Sequence, residues 1–451
     1  MASLRPRSSN IFVGIVLIAV GVLLLLHNYR GYEIGGTVLR WSPLILIIWG
    51  VVKLYERTAS QREGGPPSRT TAGEVFLMLG LLALLGVVIG VDYAKQNLSG
   101  VINDDFAGDS HDYDLNVSPA PVPADAHIVI RNGRGDITVR PADTPEVHVT
   151  GKATIRTWSD DEADRIAKPI GVEVVRSGDG YEVHPSGFDT SNGRISVDMA
   201  VSVPRQSTVT IRSDRGDIVV SGMSTPVTVN SAGRGDIEVR DTNGDVSIEN
   251  HKGDIRVSDT KGDVSISGHG GDVDVSNTSG RLTLNGEFFG SIRADKIAKG
   301  VRFISNRTDL TLTQLSGHLD AGSGNLEIAD APGDLALRTN RYDVSIENPG
   351  GRVRIDNRDG NISVRFSSPP KDDIEITNSS GGISLSIPGN SNFEITADCR
   401  EGDIESEFDA PTLKSSSTNG NSHLEGKVGS GRGPRITLRT TYKSITLSKT
   451  S

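Results

Sequence analysis

Five nine-residue stretches run without a break from Gly235 to Ser279: GDIEVRDTN, GDVSIENHK, GDIRVSDTK, GDVSISGHG and GDVDVSNTS. Nothing else in the chain restricts its fold so tightly. Each unit is Gly-Asp, then Val or Ile at the third and fifth positions, then four polar or small residues. The apolar pairs are Ile237/Val239, Val246/Ile248, Ile255/Val257, Val264/Ile266 and Val273/Val275. A spacing of two puts both side chains on one face of a short strand and turns Glu238, Ser247, Arg256, Ser265 and Asp274 to water. The residues between strands form a corner, where glycine supplies positive φ and Asp or Asn bonds back to the backbone. One such strand cannot bury its apolar face alone. Stacked on its neighbours, each β-branched pair extends a buried column.

The register continues in looser form. GDITV at Gly135 and GDIVV at Gly216 precede the block. GRLTL at Gly280, GNLEI at Gly324, GDLAL at Gly333, GRVRI at Gly351 and GNISV at Gly360 follow it. Ile374–Ile376, Ile383–Ile387, Ile436–Leu438 and Ile445–Leu447 complete the series. The pattern predicts an all-β chain whose 127–450 region is a single long β-solenoid of stacked nine-residue strand–corner units. Two or three sides per coil both fit. Equivalent corners favour this over a meander of hairpins, which corners of this length would also allow. One interruption, WSDDEADRIAKPI from Trp158 to Ile170, sets Ala163, Ile166 and Ala167 at helical spacing. A short helix at about 159–168 is predicted, capped by Ser159 or Asp160 and ended by Pro169. No cap is evident after Leu447.

The first hundred residues differ in kind. Ile11–Leu26 is apolar and uncharged, Trp41–Val52 is a shorter apolar core, and Val75–Val91 is a long one. Three transmembrane helices are predicted at about 10–27, 39–54 and 74–92, making residues 1–93 a membrane domain. Arg5 and Arg7, with Lys53, Arg57, Arg62 and Arg69 of the 53–73 loop, belong on the cytoplasmic side. Three spans would make this a multi-pass protein of the bacterial cytoplasmic (inner) membrane with its C-terminal domain extracytoplasmic. The polar stretch 94–126, with Pro119, Pro121 and Pro123, reads as a semi-rigid linker.

Several motifs invite functions that their context does not support. Arg-Gly-Asp occurs at Arg134–Asp136, Arg215–Asp217 and Arg234–Asp236, but Gly-Asp is the repeat corner itself. Asp245, Asp254, Asp263 and Asp272 recur at corners and could offer oxygen ligands to calcium, yet the G-G-x-G-x-D spacing of calcium rolls is missing, so turn formation is the simpler role. His251, His269, His318 and His423 have no zinc-ligand spacing. Cys399, the single cysteine, has no evident base beside it. A net charge of -10 with mixed signs carries no basic stripe for nucleic acid.

The density of G-D-[IV]-x-[VI] units, with Val147–Pro185 near their start, resembles the bacterial DUF4097 family, over roughly 125–450. That family is labelled as adhesins and regarded as β-solenoids. Gly14, Gly21 and WSPLILIIWGVVKL from Trp41 to Leu54 resemble the membrane region shared by LiaI- and LiaF-like envelope-stress proteins (DUF5668). The usual Trp-Pro of that region is split here by Ser42. The resemblance implies a bacterial envelope protein tied to stress signalling and brings no catalytic residues with it.

The expectation is therefore a membrane-anchored, non-enzymatic envelope protein. Its solenoid would bind another envelope protein or a cell-wall polymer, and its N-terminal helices would contact membrane lipid. No catalytic, cofactor-binding or metal residue is expected, and no nucleic acid. A surface adhesin is the alternative and a polysaccharide-active β-helix enzyme a further one. Self-association through an exposed end coil is also open.

Overall fold

The computed structural model describes residues 109–189 and 193–450. These fall in the compact unit Gly108–Ser451. Successive repeat units alternate between two sheets. Ile237–Thr242 pairs with Ile255–Thr260 in one sheet, and Val246–Lys252 pairs with Val264–Gly270 in the other. Two units thus make one coil, so the coil has two strands. In the strict block a residue stacks on the one 18 further along the chain. The strands there are parallel and in register. Ile237, Ile255, Val273 and Ile292 form one buried column, and Val246, Val264, Leu282 and Val301 form its counterpart across the core. Coils stack at about 4.8 Å, the interstrand spacing.

The corners combine several devices. Asp241, Asp259, Asn277 and Lys296 occupy equivalent places and all have φ between 52° and 54°. Asp and Asn tolerate this left-handed conformation better than other residues. Thr242, Thr260 and Thr278, one residue on, stack inside the core. Buried asparagines brace other corners: Asn357 Nδ2 donates to the Tyr342 carbonyl at 2.9 Å, and Asn378 Nδ2 to the Gly360 carbonyl at 2.8 Å.

Two features depart from a simple coil. First, the stack reverses once. Thr308–Leu312 and Leu315–Ala321 run antiparallel to the coil before them and to the strands that follow. Second, each end is stitched by an inserted coil. His127–Asn132 lies between Gly180–Ser186 and Thr208–Arg215, and Ile137–Ala142 lies between Ile195–Pro204 and Ile218–Ser221. At the other end, Arg435–Tyr442 lies between Ile374–Asn378 and Phe393–Glu401, and Ile445–Thr450 between Ile383–Pro388 and Ile404–Ser406. The strand containing Leu447 therefore needs no cap, because it is internal. The outer coil is covered instead by the antiparallel strands Asn421–Val428 and Lys414–Thr418.

The helix forms at Asp160–Ala167, with three acidic residues in its first turn and Ala163 buried. Ser159 stands at the N-cap position without a side-chain hydrogen bond. The helix is held from outside instead, by Tyr113 Oη donating to Asp164 Oδ1 at 2.7 Å and Thr157 Oγ1 donating to Glu162 at 2.7 Å. That bond, with burial, pushes the Tyr113 hydroxyl up to about 12. Tyr113 belongs to Asp109–Asn116, which lies inside the stretch read as a linker and pairs antiparallel with Glu146–Thr157 over its full length. Its alternation of Asp and Asn with only half-buried His111, Tyr113 and Leu115 made it read as polar spacer.

The membrane reading is corrected. Among the described residues no helix is long and apolar enough to cross a membrane. A span needs about 20 mostly apolar residues, and Asp160–Ala167 has eight, four of them acidic. The expected transmembrane helices at 10–27, 39–54 and 74–92 lie outside the described residues. Within the described residues the fold class is a β-solenoid with no membrane-spanning helix. The multi-pass inner-membrane location and the membrane-anchored signalling function were built on those helices, and the described residues contain no helix that supports them.

Candidate binding surface

The aspartates of the repeat do not form one row. Because one unit is half a coil, Asp245 and Asp263 stand on one edge and Asp254 and Asp272 on the other. The second edge carries the longer row: Asp198, Asp136, Asp217, Asp236, Asp254 and Asp272, in spatial order. Each Oδ1 accepts the backbone N–H of the next member at 2.8–2.9 Å, and Asp272 accepts that of Ser291 at 2.8 Å. A corner amide has turned out of the sheet ladder and needs an acceptor. The carboxylate of the preceding coil supplies it. Among the described residues no group of three or more His, Cys, Asp or Glu could hold a metal ion.

This row accounts for the Arg-Gly-Asp tripeptides. They sit on adjacent coils, with Gly135 N–H donating to the Arg215 carbonyl and Gly216 N–H to the Arg234 carbonyl, each at 2.9 Å. Asp136, Asp217 and Asp236 each commit one carboxylate oxygen to the next coil. We expect Asp254→Ala to cost about 1 kcal/mol, the worth of a lost cap. Asp254→Asn, which keeps an acceptor oxygen, should cost less than half of that. Urea unfolding of the two variants checks this; equal losses would mean that charge and not the hydrogen bond matters there.

Beside the row runs a shallow trough of about 290 Å³, lined from Asp217 to Arg293. Its other wall is the first outward position of each strand. Glu238, Arg256, Asp274, Arg293 and Asp320 are successive cross-strand neighbours there, so charge alternates in sign from coil to coil. Arg293 Nε lies 3.5 Å from Asp320 Oδ2. Opposite charges on adjacent strands favour this register, by about 0.2–1 kcal/mol a pair. The opposite sheet is different: Thr228, Ser247, Ser265 and Thr283 stack as a ladder of hydroxyls.

A further cluster was not legible in the sequence. Asp398, His423 and Ser416 are paired across three adjacent strands. His423 Nδ1 meets Asp398 Oδ1 at 2.7 Å, and that bond raises the imidazole above its ordinary range. The order is that of a nucleophile, base and acid, but Nε2 faces Glu425 at 3.6 Å. Arg439 Nε also approaches Asp398 Oδ2, at 3.9 Å. The group is an ion-pair network joining the terminal hairpin to the outer coil. Cys399, nearby, is buried and donates its thiol to the Lys443 carbonyl at 2.9 Å. Burial pushes its ionisation up, away from nucleophilic use. His251 Nδ1 contacts the Ser231 carbonyl at 3.2 Å, a structural contact.

A two-stranded coil repeated along most of the described residues, closed by inserted coils at both ends, defines a two-sheet β-solenoid. The chain belongs to the DUF4097 toastrack family, whose sequence model matches residues 126–447. The LiaF transmembrane domain model matches residues 12–102. No curated protein matches the chain. Among solved structures, a candidate cell adhesion protein from Clostridium sporogenes is 8% identical, with 76% of this chain and 100% of that one covered and a TM-score of 0.18. A candidate adhesin from Bacteroides fragilis is 9% identical, covering 75% and 97%, with a TM-score of 0.19. A candidate lipid binding protein from Parabacteroides distasonis is 12% identical, covering 76% and 98%, with a TM-score of 0.25. At these TM-scores the likenesses bear on neither fold nor function.

Proposed function

We propose that the solenoid is an adhesive surface, binding a protein or a cell-wall polymer without chemistry. The supporting observation is the outward columns. The trough wall repeats one charged pattern at the coil spacing over four strands, Glu238, Arg256, Asp274 and Arg293. Repetition of this kind suits an extended partner, whose many weak contacts add along its length.

The test uses the full-length chain coupled to beads, incubated with bacterial cells and with purified peptidoglycan sacculi. Retention on the beads should fall several-fold when Arg256 and Arg293 are replaced by Glu, which breaks the alternation without touching the core. Retention equal to that of beads carrying an unrelated protein would sink the adhesive reading.

A further inference from the structure

The coil that ends the long aspartate row breaks the repeat. Gly270 and Phe288 are still cross-strand partners, but by Val273 and Ile292 the offset has grown by one residue. The row's own bonds record the change, from an offset of 18 at Asp254–Asp272 to 19 at Asp272–Ser291. The extra residue falls in Phe289-Gly290-Ser291. Phe289 is 83% exposed, while Phe288 beside it packs against the core. The corner is nevertheless held: Phe289 N–H donates to the Gly270 carbonyl at 3.0 Å and Gly290 N–H to the Gly271 carbonyl at 3.2 Å. Buried phenylalanines elsewhere (Phe303, Phe366, Phe393, Phe408) follow the usual rule for this side chain. An insertion that fixes a phenyl ring in water, two residues from the trough-lining Ser291, calls for a use.

We propose that the trough holds an extended, uncharged polysaccharide, with Phe289 as a stacking platform at its end. The proposal rests on the adhesive reading and names the ligand class. With Oδ1 of Asp217, Asp236, Asp254 and Asp272 committed to amides, the second oxygen of each remains an acceptor only. A row of acceptors at a pitch of about 4.8 Å asks for a ligand rich in donors that repeats on the scale of one ring. Sugar hydroxyls meet that demand. Arg256 and Arg293 supply donors for the ring and linkage oxygens. The excess of carboxylates over these two guanidinium groups repels polyanions and so excludes nucleic acid and phosphate-rich polymers. The phenyl ring offers a flat apolar surface to the C–H face of a terminal sugar, while the polar trough orients the chain. A basic peptide would satisfy the carboxylates but would meet Arg256 and Arg293 along its path.

The experiment is titration calorimetry of the full-length chain with hexameric N-acetylglucosamine and hexameric glucose, with hexalysine as the cationic comparison. At least one sugar hexamer should bind. Phe289→Ala should weaken that binding about tenfold, and Arg256→Ala should weaken it too. Tyr442→Ala, at another exposed aromatic, should leave it unchanged. Both Phe289 and Tyr442 are solvent-facing, so the variants keep the fold; an unchanged circular dichroism melt confirms this. Failure of both sugars at millimolar concentration, equal binding by Phe289→Ala, or binding of hexalysine alone would each overturn the proposal. If the sugars fail while the beads still retain cells or sacculi, only the ligand class is wrong. If both fail, the adhesive reading falls as well.

Discussion

Deleting Gly433 to Ser451 is expected to unfold much more than the residues removed. In a simple solenoid the last stretch of chain is the last coil, and its loss exposes one fresh end while each remaining coil keeps a neighbour. Here Arg435–Tyr442 and Ile445–Thr450 are the layer between the coil of Ile374–Pro388 and the coil of Phe393–Ser406. Ile436, Leu438, Ile445 and Leu447 are all buried. Their burial contributes roughly 6–12 kcal/mol before chain entropy is counted. Without them the outer coil, and the hairpin of Lys414–Thr418 and Asn421–Val428 that covers it, pair only with each other and lose their link to the rest of the stack. Hydrogen exchange is the measurement. Protection should vanish across Phe393–Val428 and fall across Ile374–Pro388, and should persist in Val227–Ile266, because coupling in a stacked repeat runs through nearest neighbours. Persistent protection of Phe393–Val428 in the truncated chain would contradict the inserted coil.

The second large effect is expected at Gly216. Its φ is +127°, in the region that side chains rarely adopt, and a Cβ there would collide with the Gly135 carbonyl oxygen of the adjacent coil. The two costs act together, so Gly216→Ala should destabilise the protein by about 3 kcal/mol. Gly324→Ala is the control. No heavy atom lies within 4 Å of a Cβ placed there, so its change should stay within about 0.5 kcal/mol. Chemical denaturation of both variants decides the matter. A loss at Gly216 no larger than at Gly324 would show that the coils can separate at that corner at little cost. The same experiment bears on the Arg-Gly-Asp tripeptides. If Gly216 is a packing requirement, its place between Arg215 and Asp217 follows from the corner and needs no receptor.

Much of this surface was legible in the repeat. The alternation from Ile237 to Val275 named the buried columns, since a period of two leaves each side chain only one of two faces. It also named Glu238, Arg256 and Asp274 as outward residues. The placement of the aspartates was legible only in part. Asp245, Asp254, Asp263 and Asp272 recur at corners as the repeat implies, but they alternate between two edges. The unit repeats every nine residues, but space repeats every 18. The number of strands per coil depends on how sharply each corner turns, and two corners of similar composition do not reveal it. Asp198 could not be assigned to the row at all. It precedes Asp136 in space and follows it by 62 residues in sequence. Asp398, His423 and Ser416 met for the same reason, through antiparallel strands that bring distant segments into one rank.

The amino-acid sequence by itself determined that this chain forms short strands with polar corners, that those strands stack, and which side chains fill the space between the sheets. These follow from local rules: period two, β-branched pairs, and Gly, Asp and Asn at turns. The tertiary structure alone decided which coil lies beside which. It inserted the first and last coils one layer in from the ends, reversed the stack at Thr308–Ala321 and set an exposed Phe289 at the end of the aspartate row. The physical reason is that similar repeats offer nearly the same pairing energy to many partners. Local pattern cannot choose among them, and the choice falls to the few places where a coil is longer, runs backward, or must cover an open edge.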